Sequence, residues 1–154
     1  MKKIILFIIT LLLVTGCKEK QIEKFYLNNK YYNEGKYITI KNLDGLEKDT
    51  YVLYTYNNYC TFKKSCEQVF KEYMEKYKID FYSMPIDYFK KTSFYRKVRY
   101  APSIILVKNG KIVTYLDANK DEDLDKYQDS KQFEEWINKY IYTEESNWFF
   151  FRFK

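Results

Sequence analysis

Between Tyr51 and Gly110 the chain reads strand, helix, strand, helix and hairpin in one unbroken order, and few folds accept that order. The apolar run Tyr51–Tyr56 carries few polar side chains, so it suits a central strand covered on both faces. Beyond Cys60, the residues Cys66, Val69, Phe70, Tyr73 and Tyr77 recur at helical spacing. Lys63, Lys64, Glu67, Lys71, Glu72, Glu75 and Lys76 fill the rest of that helix. Ile79–Met84 is the next strand and ends at Pro85, because the position before a proline is biased to extended geometry. Asp87–Arg96 is a weaker helix. Ser103–Val107 and Ile112–Leu116 flank Asn109-Gly110, the strongest short signal for a hairpin.

The flanks are simpler. Tyr37–Ile40 reads as a first strand, and Asn42 to Leu46 as a turn. A last helix begins near Asp129 or Ser130, either a good N-cap, and buries Phe133, Trp136, Ile137, Tyr140 and Ile141 at helical spacing. Asp117 to Asp125 follows the start of a calcium-loop spacing. Glu122 stands where that loop needs glycine, and Gln128 where it needs a bidentate glutamate, so the stretch is predicted as a solvated acidic loop with no metal.

The chain has no histidine, which removes the commonest general base and zinc ligand and excludes serine–histidine or cysteine–histidine catalysis within one chain. Eighteen tyrosines lift the aromatic content to 21%, a bias that suits half-buried strands better than it marks a stacking surface. Net charge is +6, and removing Lys2 and Lys3 from the 27 basic residues leaves 25 against 21 acidic ones. That mild excess is spread along the chain without the clustered basic face that nucleic acid requires, so no nucleic-acid partner is expected.

Residues 1–16 read as a targeting segment. Lys2 and Lys3 precede an apolar run, Ile4 to Val14, that is too short to cross a bilayer, since a helix needs about 20 residues for that. The run ends in Val14-Thr15-Gly16-Cys17, which resembles the lipobox of bacterial lipoproteins. That resemblance implies cleavage before Cys17, acyl chains on its sulfur, and a domain held at the extracytoplasmic face of the cell membrane. Residues 17–34 are then a polar tether that lets the domain stand off the bilayer, and 35–142 the folded domain. The tail 143–154 contains the run N-W-F-F-F-R-F-K. It reads either as an interfacial aromatic anchor or as an extra segment packed on the domain.

The order β-α-β-α-β-β-α, with parallel then antiparallel pairing, resembles the thioredoxin-like superfamily: an α/β fold with a central mixed sheet flanked by helices. The family pattern C-x-x-C-K-x-F-E-P-V-F falls on Cys60 to Phe70, with its first cysteine at Cys60 and its second at Lys63. The resemblance implies that Cys60 is the attacking thiol at a helix N-terminus, whose partial positive charge favours the thiolate. Lys63 adds a cation nearby, and Thr61 and Phe62 stand between the two positions. The acid that the best reductases use as proton acceptor is Tyr54 here. Val98-Arg99, Pro102-Ser103 and Lys108-Asn109-Gly110 match a second family run, in which Pro102 is cis and Ala101 offers its backbone to an extended peptide.

Cys66 lies six residues beyond Cys60, about 10 Å away along an intact helix and so beyond the ~7 Å Cα limit for a disulfide. It reads as a buried core thiol, or as a second thiol reached if the first helical turn unwinds. Length and the acidic insert before the last helix resemble the bacteriocin transport accessory branch. Two functions remain open: thiol or disulfide exchange on exported client proteins or peptides without any cofactor, and a redox-silent peptide-binding module.

Overall fold

The computed structural model describes residues 22–57 and 65–143. Five strands form one mixed sheet: β1 (Tyr37–Thr39), β2 (Tyr51–Tyr56), β3 (Phe81–Pro85), β4 (Ser103–Lys108) and β5 (Lys111–Asp117). Their spatial order is β1-β3-β2-β4-β5. β3 runs parallel to both β1 and β2, whereas β4 is antiparallel to β2 and β5. This is the expected thioredoxin arrangement, and the apolar run YVLYTY is its centre, buried from Tyr51 to Thr55.

Because strand side chains alternate between faces, Tyr51 and Tyr54 point to opposite sides of the sheet. Tyr54 meets Phe70 of helix α1 (Cys66–Tyr77), and Phe70 in turn meets Tyr127 and Phe133. Those two side chains come from α3 (Asp121–Gln128) and α4 (Ser130–Ile137), so α1, α3 and α4 share one layer. On the other face Tyr31, Tyr51 and Tyr82 pack edge to face. The connection from β3 to β4 holds the short helix α2 (Ile86–Phe89), with Phe89 buried, and a 3-10 turn, Ser93–Arg96.

Several boundaries differ from the sequence reading. The helix expected over Asp87–Arg96 is broken, and Thr92 Oγ1 donates to Phe89 O (2.8 Å) just where α2 ends. The acidic stretch expected as a loop is mostly α3. Asp121, Glu122 and Asp123 occupy its first turn, where the helix dipole favours negative charge, and Tyr127 anchors it in the core. Asp129 caps α4 by accepting from the backbone N–H groups of Lys131 (2.8 Å) and Gln132 (2.9 Å). The hairpin forms on Asn109 and Gly110, both with positive φ, and a bulge shifts the register between Leu106 and Val107.

The largest departure concerns the tether. From Phe25 onward the segment is docked: Phe25, Leu27 and Tyr31 are buried, and Phe25 exchanges backbone hydrogen bonds with Tyr140 and Tyr142. Scattered apolar residues that look solvated in sequence fill the end of the sheet and the space beyond α4. A polar knot holds the docked segment. Asp49 accepts from Tyr31 Oη (2.8 Å) and Asn28 Nδ2 (3.2 Å) and pairs with Lys30.

The hydrogen bond from Lys30 holds the Asp49 carboxyl below its ordinary range. A depressed folded value means stabilisation that is present above the unfolded value and lost as pH falls through the folded one. Asp49→Asn is therefore expected to flatten the fall in urea midpoint between about pH 5 and pH 2, relative to the wild-type chain.

Candidate functional site

β2 carries the chain along the middle of the sheet to Asn57, and α1 is described from Cys66. The intervening segment holds Cys60, Thr61, Phe62 and Lys63, all four outside the described residues, as are Cys17 and residues 144–154. The surroundings into which Asn57 leads are described. They centre on the turn before β4, where the Ala101–Pro102 peptide bond is cis and Pro102 is buried.

Three elements hold successive carbonyls of that turn. Ser103 Oγ at the start of β4 donates to Tyr100 O (2.7 Å). Asn57 Nδ2, just past the end of β2, donates to Ala101 O (3.0 Å). Tyr127 Oη, from α3, donates to Pro102 O (3.1 Å) in a buried bond. A backbone held at three successive carbonyls is pre-organised, so whatever binds there pays little ordering cost for it. The Asn57 bond also ties the start of the Cys60 segment to the turn.

Beside Ala101 lies an open groove of roughly 490 Å³, lined among others by Tyr56, Pro85, Ile86, Lys90, Arg99 and Tyr100. Its lining mixes apolar and charged side chains: Lys90 lies near Asp87 (3.7 Å), also in the lining, and Arg99 over the Tyr95 ring (5.1 Å). Tyr100 stands 51% exposed at the edge.

Cys66 opens α1 and is only 1% exposed, packed on the face that also buries Val69, Phe70 and Tyr73. Its Sγ lies 3.6 Å from Tyr54 Oη. Burial, reinforced by Cys66, pushes the Tyr54 hydroxyl far above its ordinary value. Tyr54 stays protonated at neutral pH and serves as a hydrogen-bonding wall, not as a base. Ser103 lies within the family run around Pro102, but Asn57 and Tyr127 were not legible as site residues. Asn57 looks like a strand terminator, and Tyr127 falls in a stretch dominated by carboxylates. The acidic side chains there satisfy local backbone: Asp123 accepts from Asp117 N (3.1 Å), and Asp117 from Asn119 N (2.9 Å).

A family model described as Thioredoxin matches residues 33–130. No curated protein matches the sequence. Among solved structures the chain is similar to the thioredoxin of Schistosoma mansoni, with 22% identity, 71% of this chain and 99% of that one covered, and a TM-score of 0.49. It is also similar to a thioredoxin from Nicotiana alata, with 19% identity, 70% and 95% covered, and a TM-score of 0.48. For thioredoxin f from spinach chloroplast the values are 18% identity, 71% and 98% covered, and a TM-score of 0.47.

Proposed function

The chain belongs to the thioredoxin family, and from that premise we propose that it is a membrane-anchored lipoprotein that handles thiols and disulfides of exported proteins through one cysteine, Cys60. The observation that carries this reading is the hydrogen bond from Asn57, three residues before Cys60, to Ala101 O beside the peptide-sized groove. Cys60 thiolate attacks one sulfur of a client disulfide. That S–S bond breaks, a Cys60–client bond forms, and the other client sulfur leaves as thiolate. With Lys63 at the usual resolving position, a client thiol or a small exported-compartment thiol attacks the mixed disulfide and frees Cys60. If the client's own thiol does so, the cycle is an isomerisation with no net electron transfer.

Acid-quenched, non-reducing capture from the intact cell envelope tests the reading. Wild type is expected to yield mixed disulfides that disappear on reduction, and Cys60→Ser to yield none while Cys66 remains present. Capture that survives Cys60→Ser would overturn the proposal. The rival reading is a redox-silent module that holds extended peptides for a secretion or bacteriocin-transport system. Burial of Cys66 favours it, because no second accessible thiol is present among the described residues. Under that reading, peptide binding measured by fluorescence is unchanged in Cys60→Ser.

A further inference from the structure

α3 has little to hold it together by itself. It has eight residues, and an isolated helix shorter than about 12 residues is marginal in water. Lys120 ahead of it makes no side-chain cap, and Tyr127 is its one buried side chain. The helix therefore depends on where it is tied. At its start Asp123 accepts from Asp117 N (3.1 Å). Near its end Tyr127 reaches into the core, where the ring meets Phe70 of α1 (5.7 Å) and the hydroxyl donates to Pro102 O (3.1 Å). Burial pushes that hydroxyl well above its ordinary value, so it stays a donor.

The bond to Pro102 O serves two parts of the fold. It seats α3, and it holds the turn from behind. Tyr127 comes from the α1 side of the sheet and takes no part in the groove lining, whereas Arg99, Tyr100 and Ala101 line the groove beside Ile86 and Lys90. Asn57 holds the adjoining Ala101 O and is itself in the lining. When Tyr127 leaves its seat, Pro102 O loses a buried donor and α3 loses its core side chain. Two events that share one contact are linked: what stabilises the held turn stabilises docked α3, and the coupling is the same in both directions.

We propose that Tyr127 is a positioning residue of the groove and α3 its clip, so that an extended peptide lying along Ala101 tightens α3, and undocking of α3 weakens the peptide's hold. The inference rests on the proposed reading of this groove as the place where client peptides lie. Tyr127 touches no client and acts through Pro102. The local opening it controls is the release of one short helix, which leaves the sheet intact.

Hydrogen exchange and peptide binding in the purified full chain test this. Tyr127→Phe removes one oxygen and keeps the ring. Exchange at Leu124 and Lys126 in α3, and at Ala101 and Ser103 in the turn, is expected to quicken together by about fivefold to tenfold, while Val52 and Leu53 in β2 keep the wild-type rate. The peptide probe is fluorescein-labelled insulin B chain with carboxymethylated cysteines, so no thiol chemistry enters. Its Kd is expected to rise by about the same factor in Tyr127→Phe, and adding Asn57→Ala should raise it by less than the product of the two single effects, because both side chains act on one turn. In the wild-type chain, saturating peptide should slow exchange at Leu124 and Lys126 although it touches neither. Peptide that protects the Ala101 amide and leaves α3 unchanged overturns the clip and keeps the groove. Faster exchange in α3 without faster exchange in the turn overturns it as well. A wild-type chain that does not bind the probe sinks the reading of the groove, and the role of Tyr127 in binding with it.

Discussion

Lys63→Cys is expected to shorten the life of client complexes on Cys60 by about two orders of magnitude. Under the proposed function, release from the wild-type chain waits for a thiol from outside, at about micromolar to millimolar concentration. A cysteine at position 63, where the family pattern has its resolving cysteine, is expected to make release intramolecular, with an effective concentration of about millimolar or above. The same substitution removes the cation that the family alignment sets near Cys60, so capture is expected to slow as well. Lys63→Ala separates the two effects: capture slows, yet complexes persist once formed. The measurement is the decay of mixed disulfide after a chase, followed by acid quench and non-reducing electrophoresis. Complexes of Lys63→Cys that live as long as those of wild type would mean that residue 63 does not face Cys60.

Asp80→Ala carries the largest expected loss of stability, about 3 kcal/mol, or roughly 10 °C in Tm. The Asp80 carboxylate is buried at the start of β3 and accepts from four donors. These are the backbone N–H groups of Gly35 (2.8 Å), Lys36 (2.9 Å) and Glu34 (3.3 Å), and Asn33 Nδ2 (3.1 Å). Removing it leaves the buried Gly35 N–H unsatisfied, at about 1–3 kcal/mol, and takes a charged acceptor from the three part-buried donors beside it. The loop cannot simply rearrange. Gly35 has φ +80 and lies so close to α1 that a Cβ there would sit 2.3 Å from Met74 O. Asp80→Asn should recover part of the loss, because its amide oxygen still accepts. Exposed Glu122→Ala should shift stability by no more than about 0.5 kcal/mol. Thermal unfolding of the three variants followed by circular dichroism checks the ranking. An Asp80→Ala chain as stable as Glu122→Ala would show that the nest is not what fixes this loop.

Continuous apolar runs and helical spacing were enough to read the centre of the fold. YVLYTY became the central strand, Asn109-Gly110 the hairpin turn, and Val69, Phe70 and Tyr73 the buried face of α1. These succeed because one local rule and one burial pattern agree over several consecutive residues. Met74 was missed on that face, and Phe81 begins β3 two residues later than expected, since the edges of an element depend on neighbours that the pattern does not contain. The α3 helix was missed because its carboxylates look like loop and its single fully buried residue, Tyr127, gives no period.

At the site, the Pro102 run was legible, but the groups that hold its carbonyls were not. Ser103 belongs to that run and bonds Tyr100 O locally, but Asn57 and Tyr127 come from distant parts of the chain, and nothing local in either announces a common target. The same holds for Phe25, Leu27 and Tyr31, which look like a solvated tether until the end of the sheet offers them a place. Sequence alone therefore determined the succession of most elements along the chain, the hairpin and the family run around Pro102, because periodicity and turn chemistry are encoded between near neighbours. Tertiary structure alone decided that Asn57 and Tyr127 lock the turn and that Phe25, Leu27 and Tyr31 dock on the domain. Hydrogen-bond partners and docking contacts arise between residues that only the folded chain brings together.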